Sequence, residues 1–261
     1  MGSLFFVQYL NPILCGRAVM PQYRERTYRK RVSSKDLTCF SVAVKETDLW
    51  LCADKNLEKE TRDLIFDCRH QLESYIRSHP EFPHSLVPLE GDPYAPPIVK
   101  EMIRATGKID VGPMASVAGA IAQYVATGLL NLTDQVIVEN GGDIFLKADR
   151  PLTVSVFAGA SPLSGRFGLL IPVSQMPLGV CSSSATVGHS LSRGIADVVC
   201  TLSSSGAMAD GAATALGNRV KKKRDLEEVA RWANQIEGVL GGMVIVGDTV
   251  ATWGDIELVE V

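Results

Sequence analysis

The sequence predicts an α+β fold with largely antiparallel sheet. Three observations lead there. The stretch "CFSVAVKETDLWLCAD" alternates apolar and polar positions and is rich in β-formers, and similar short runs return after residue 134. Between those runs lie separate segments whose apolar residues repeat at helical spacing. The order is strand pair, helix cluster, strands, helix cluster, strand pair, which is not the strict alternation that builds a parallel sheet.

The elements follow in order. "YRERTYRKRV" and then "CFSVAVKETDLWLCAD" read as an opening antiparallel pair. The basic residues of the first suit the solvated face of an edge strand, with a phosphate contact as the sharper alternative. Asn56 can cap the first helix. Its face carries Leu57, Leu64, Ile65, Cys68, Leu72, Tyr75 and Ile76, and Pro80 ends it. After the proline-rich "EFPHSLVPLEGDPYAPP", the run "PIVKEMIRATGK" starts a second helix with proline in its first turn. A third runs from Met114 to about Leu129. The segments "DQVIVENGGDIFLKA", "LTVSVFAG", "FGLLIPV", "LGVCSS" and "ADVVCTLS" read as strands. The small-residue stretch "SSSGAMADGAATALGNRV" is a helix, another begins at Asp225 with Gly238 as its stop, and "GGMVIVGDTVATWGDIELV" closes the chain as strands.

A chain of 261 residues with 46% hydrophobic composition buries a substantial core. Residues 21–261 are expected to form one domain of two similar halves, about 21–130 and 131–261. The apolar "MGSLFFVQYLNPILCG" lacks the basic start of a signal peptide, so residues 1–20 read as an extension ahead of a start at Met20. A net charge of -3 gives no nucleic-acid signature. The uncharged window Val111–Thr133 is too rich in glycine, alanine and polar residues to span a membrane. Six scattered cysteines without a C-x-x-C pair read as buried free thiols, hence a reducing, cytoplasmic setting.

Chemistry concentrates in three places. Asp210 and Thr214 stand four residues apart, so a helix projects both from one face and offers two hard oxygen ligands of the kind Mg²⁺ takes. The bland reading is that Asp210 only accepts backbone N–H bonds near a helix start. In "VENGGDIF", Gly141 and Gly142 interrupt a strand between Asn140 and Asp143, marking a hairpin, a bulge or a close ligand. In "GVCSSSATVGHSLSRGIAD", Ser182, Ser183, Ser184 and Thr186 can donate to a phosphate, or a serine can act as nucleophile with His189 as base. Lys221–Arg224 is a basic run that reads as a solvated loop. No dinucleotide, P-loop, zinc-protease or nucleophile-elbow signature is present.

Taken together, "VENGGDI", "GVCSSSATVGHS" and "ADGAATALG" resemble the ApbE-like superfamily, whose known members are FAD:protein FMN transferases. "SLVPLEGDPYAPPIV", "VGPMASVAGAIAQYV", "SPLSGRFGL" and "GHSLSRGIAD" look closer to a subfamily of uncharacterised ApbE-related proteins. The resemblance runs from about Met20 onward. It implies duplicated T-fold-like halves with a flavin nucleotide, FAD or FMN, between them. It implies metal ligation by Asp210 and Thr214, completed by a backbone carbonyl for which Ala115 is the counterpart. It places Asn140, Gly141, Gly142, Asp143, Ser182, Ser183 and Thr186 by the nucleotide, with His189 and Asp210 as catalytic candidates. Ser116 stands where the transferases carry lysine, Ser184 where they carry glycine, and two further flavin-side motifs have no counterpart. The expectation is Mg²⁺-dependent binding of a flavin nucleotide with FAD cleavage or FMN transfer to a protein acceptor. The alternative is a non-catalytic flavin or nucleotide binder. A homodimer remains open.

Overall fold

The computed structural model describes residues 37–185 and 194–261. Strands β1 (Thr38–Val44) and β2 (Thr47–Ala53) form a hairpin, followed by helices α1 (Glu58–Ser78) and α2 (Pro97–Thr106). A 3-10 turn at Pro113–Ser116 leads into α3 (Val117–Leu129). Then come β3 (Val136–Asn140), β4 (Asp143–Lys147), β5 (Leu152–Ser155), β6 (Phe167–Ile171), β7 (Leu178–Ser183) and β8 (Val198–Ser203). Helices α4 (Gly206–Arg219) and α5 (Leu226–Ala233) precede β9 (Gly241–Val246), β10 (Thr249–Gly254) and β11 (Glu257–Glu260).

Eight strands form one sheet in the order β1-β2-β3-β4-β7-β8-β9-β10, every neighbouring pair antiparallel. A second sheet, β11-β6-β5, is also antiparallel. Apolar alternation sends the two faces of the large sheet into two cores. Leu49, Leu51, Val138, Phe145, Val199 and Val244 pack under the helices. Cys52, Ile137, Leu146, Leu202, Met243 and Ile245 pack with Leu169 and Ile171 of the small sheet. The result is three layers, helices on sheet on sheet.

The sequence expectation of α+β architecture with antiparallel sheet is met. The strand order contains two successive runs of strand pair, helices, strand pair: β1–β4 with α1–α3, and β7–β10 with α4 and α5. We propose these as the duplicated units. This division falls after β4, where β4 pairs with β7 and joins the two units into one sheet, whereas the sequence reading puts it near residue 130.

Local details differ from expectation for physical reasons. Asn56 does serve the start of α1, accepting the Glu58 N–H at 2.9 Å through its side-chain oxygen. "ENGGDI" is a tight hairpin rather than a bulge. Asn140 pairs with Asp143, and Gly141 and Gly142 take φ values of 70° and 110°, which side-chain-bearing residues avoid. Cys39 and Cys52 sit directly opposite in the β1–β2 register and form a disulfide. The free-thiol expectation therefore fails for that pair, and with it the argument from cysteines to a reducing setting. Cys68, Cys181 and Cys200 are free and buried. No helix among the described residues is long and apolar enough to cross a membrane.

A reciprocal close joint lies between α3 and α4. A Cβ placed on Gly119 would fall 2.2 Å from the Gly206 carbonyl oxygen, and one on Gly206 would fall 2.5 Å from the Gly119 carbonyl oxygen. Gly119→Ala is therefore expected to cost about 3 kcal/mol by forcing the two helices apart. Gly91→Ala, where nothing lies within 4 Å, should change stability by less than about 0.5 kcal/mol. Denaturant unfolding of both variants checks the pair. Equal stabilities would show that the joint has slack.

Candidate functional site

Helix α4 owes its position to having almost no side chains. Ser205 caps it, accepting the Met208 N–H at 3.1 Å. Three glycines, Gly206, Gly211 and Gly217, make it a poor helix by propensity, so packing must hold it. Its first N–H, from Gly206, donates to the Gln123 side-chain oxygen of α3 at 2.7 Å. One turn on, the Asp210 carboxylate accepts the Gly119 N–H at 2.9 Å and is also bonded by the Ala118 N–H. Gly119 and Ala118 belong to the first turn of α3, whose N–H groups have no partner within the helix.

The two helices thus cap each other. The stripe Gly206, Asp210, Thr214 on α4 runs at four-residue intervals, and so does Ala115, Gly119, Gln123 on the 3-10 turn and α3. They run in opposite directions: Gln123 meets Gly206, and Gly119 meets both Gly206 and Asp210. Further along, a Cβ on Gly211 would lie 3.7 Å from the Ser116 Cβ, so the 3-10 turn also rests on α4.

The β3–β4 turn closes on the same spot. The Asn140 amide donates to the Ala118 carbonyl at 3.1 Å. Asp143 accepts the Ser182 N–H at 3.1 Å, and the Ser182 hydroxyl donates to the Gly142 carbonyl at 3.3 Å. Glu139 accepts the Gly142 N–H at 2.8 Å and fixes the turn. The structure therefore gathers Asn140, Gly142, Asp143, Ser182 and Asp210 around the start of α3. Thr214 lies one turn beyond Asp210, half-buried, and its hydroxyl makes no hydrogen bond to a described residue. Ala115 is half-buried in the 3-10 turn. Ser183 is buried and faces α4, with its Oγ 3.9 Å from where a Cβ on Gly217 would stand. Thr186 and His189 lie outside the described residues, so the serine–histidine reading gains no geometry.

Electrostatically the site is a buried acid pair, Asp143 and Asp210, with no basic side chain paired to it among the described residues. Burial, and then the Asp143 charge, holds the Asp210 carboxyl well above the usual carboxylate range. Burial raises Asp143 as well. The Cys181 thiol donates toward the Gly206 carbonyl at 3.6 Å, and burial followed by the charges of Asp143 and Asp210 pushes it up. Among the described residues no three His, Cys, Asp or Glu side chains form a metal cage. One carboxylate with a hydroxyl and a carbonyl suits Mg²⁺, which keeps waters and takes phosphate oxygens for the rest.

Sequence reasoning did not single out Glu139, Cys181 or Gln123. Gln123 had a signal, being a lone long polar side chain within the uncharged α3. A cleft of about 380 Å³ between α1, α2 and α3, lined by Leu64, Ile98, Glu101, Gln123 and Tyr124 among others, lies at the outer end of the α3–α4 contact, away from Asp143 and Thr214.

The raised carboxyl gives a pH prediction. An acid whose folded pKa is raised holds its proton more tightly when folded. Its stabilising contribution is full below the unfolded pKa of about 4 and is lost as pH rises through the folded value. Without divalent cation, Asp210→Asn should therefore be more stable than the parent at pH 8, by about 1 kcal/mol or more, because its amide oxygen still accepts the Gly119 N–H. The difference should shrink at pH 5. Thermal unfolding at the two pH values checks this, and a variant less stable at pH 8 would contradict it.

Comparisons with known proteins agree with this architecture. A family model described as "AbpE bacteria" matches residues 29–246. The UPF0280 protein of Methanocella arvoryzae is 40% identical over 212 residues, covering 81% of this chain and 86% of the relative. That of Methanothrix thermoacetophila is 43% identical over 197 residues, covering 75% and 82%. Among solved structures, the apo flavinyl transferase ApbE of Pseudomonas stutzeri superposes with a TM-score of 0.55 at 14% identity, covering 83% of this chain and 93% of that one, a likeness of fold. By the extent of the family match and the identity to these relatives, the chain belongs to the AbpE bacteria family, together with the UPF0280 proteins.

Proposed function

We propose that the chain binds Mg²⁺ and a flavin nucleotide, FAD foremost, where α3, α4 and the β3–β4 turn converge, and that it cleaves the pyrophosphate of that nucleotide. The observation that carries this reading is the antiparallel ladder of α3 on α4. Its first rungs are Gln123 on Gly206 and Gly119 on Asp210. One helical turn further, continuing the same spacing would bring the Ala115 carbonyl toward Thr214, beside Asp210. The donor set fits the ion: a buried carboxylate without a lysine or arginine partner and a hydroxyl without a hydrogen-bond partner, both among the described residues, and a carbonyl. The named relative in fold is a flavinyl transferase, which supports the choice of nucleotide.

Bound Mg²⁺ would offset the charge of the pyrophosphate and of the leaving phosphate. The chain's own residues do the rest. Asp210 and Thr214 fix the phosphates against α4. Ser182, tied to the β3–β4 turn, presents a hydroxyl on the adjacent strand end. Asn140 and Asp143 hold that turn against α3 and β7. An incoming hydroxyl, from a protein threonine or from water, gives up its proton to solvent and forms a bond to the flavin-side phosphorus. The bond from that phosphorus to the bridging oxygen breaks, and AMP departs.

The second reading, a binder without transfer, has an observation of its own. Ser116 occupies the position of the transferases' lysine, and it is fully buried with its hydroxyl donating to the Pro113 carbonyl at 2.7 Å. It brings no cation to the phosphates.

Incubation of the purified chain with FAD and Mg²⁺ distinguishes them by AMP release. Under the main reading AMP accumulates only with Mg²⁺, and Asp210→Ala slows it about a hundredfold or more. FAD binding without AMP, with water or with an acceptor, leaves the binder. Failure to bind FAD at all removes both.

A further inference from the structure

We infer that Gln123 is a positioning residue for the Asp210 site, acting through the first turn of α4. The inference rests on the reading of Asp210 and Thr214 as metal ligands. Gln123 is eight residues from Ala115 on the same stripe, so it touches neither ligand. It holds the other end of the ladder. Its side-chain oxygen accepts the Gly206 N–H at 2.7 Å, the first N–H of the helix on which Asp210 is the fifth residue.

Against α3, that helix has few side chains to locate it along its axis. Apart from Met208 and Leu216, its buried residues are glycine, alanine and Asp210, and small side chains do not interlock. Sliding along a smooth interface costs little dispersion energy, because few knobs leave their holes. Polar bonds at defined points must then set the register. On the sheet side the Thr201 hydroxyl of β8 donates to the Ala209 carbonyl, and toward α2 and α3 two bonds grip the N-terminal end. One is Gln123 on Gly206. The other is Glu101 of α2, which accepts the hydroxyl of the cap Ser205 at 2.7 Å. A third, Asp210 on Gly119, is the group that the ion would recruit, so it cannot by itself fix the helix when its carboxylate turns to the metal. Gln123 and the Glu101–Ser205 pair therefore hold α4 at the depth that keeps Asp210 and Thr214 level with Ala115.

The readout is the apparent Mg²⁺ affinity at fixed FAD, followed by flavin fluorescence, for the parent, Gln123→Leu, Gln123→Glu and Asp210→Ala. Gln123→Leu keeps the volume and removes the acceptor. Losing a hydrogen bond that sets the ligands' position should weaken Mg²⁺ about tenfold. Gln123→Glu keeps an acceptor at the positive end of α4 and should stay within about threefold of the parent. A residue that only supports the fold would lower the unfolding midpoint and leave the affinity of the folded protein unchanged. If Gln123→Leu does not fold, Ser205→Ala tests the same helix end and should weaken Mg²⁺ at least about threefold. Parent-like affinity in folded Gln123→Leu, or in Ser205→Ala where that variant does not fold, overturns the inference, as does failure of Gln123→Glu to restore affinity. Parent-like affinity in Asp210→Ala, or no Mg²⁺ dependence in the parent, overturns the proposed function instead.

Discussion

Everything around the candidate site depends on the contact between Gly119 and Gly206. At that point the backbones of α3 and α4 touch with no side chain between them, and β7 joins them: a Cβ on Gly179 would stand 2.8 Å from the Gly206 Cα. Three chain segments from both halves of the large sheet therefore meet within one residue's width. Such an approach is open only to glycine, and it costs helix propensity in both partners. What offsets that cost is reciprocal capping. The N–H of Gly206 is taken by Gln123, and the N–H groups of Ala118 and Gly119 are taken by Asp210. Each helix supplies the acceptor that the other's first turn lacks.

This arrangement changes the meaning of the buried acid. Asp210 is a capping residue, though of a different helix from the one it sits on. The proposed role as a metal ligand competes with the first only in part, since a carboxylate has two oxygens and the Gly119 N–H bond takes one of them. The acid is also expensive to keep. It is buried beside Asp143 and has no lysine or arginine to balance it among the described residues. A fold that needed only a cap would be served by asparagine at this position. A carboxylate there carries a charge that the proposed cation would balance.

Much of the architecture was legible in the sequence. Period-two runs and helical stripes gave most elements, and Pro80 and Pro97 marked helix ends close to where they fall, but α5 stops at Ala233, five residues before Gly238. The opening hairpin β1–β2 falls on the second of the two runs read as its strands, and the first, residues 23–32, lies outside the described residues. The Gly141–Gly142 pair was legible as a break in a strand, and the register then made it a hairpin turn. Other features were not legible because they depend on who lies opposite. Cys39 and Cys52 pair only because the β1–β2 register aligns them. Glu139 reads as an ordinary strand residue until the turn folds back on it. Gly119 is one small residue in an uncharged helix, and nothing in its neighbours reveals that Gly206 will press on it from 87 positions away. Asp210 and Thr214 were readable as a pair from spacing alone, whereas Gln123 needed the antiparallel ladder to acquire a role.

The central claim is that the ladder of α3 on α4 sets three oxygens around one cation. Anomalous diffraction from crystals grown with Mn²⁺ and FAD tests it most directly. The account predicts a single peak about 2.1 Å from Asp210 Oδ1 or Oδ2, Thr214 Oγ1 and the Ala115 carbonyl oxygen. A peak coordinated elsewhere, or no peak while FAD is bound and Asp210 keeps both oxygens on the α3 N–H groups, would contradict it.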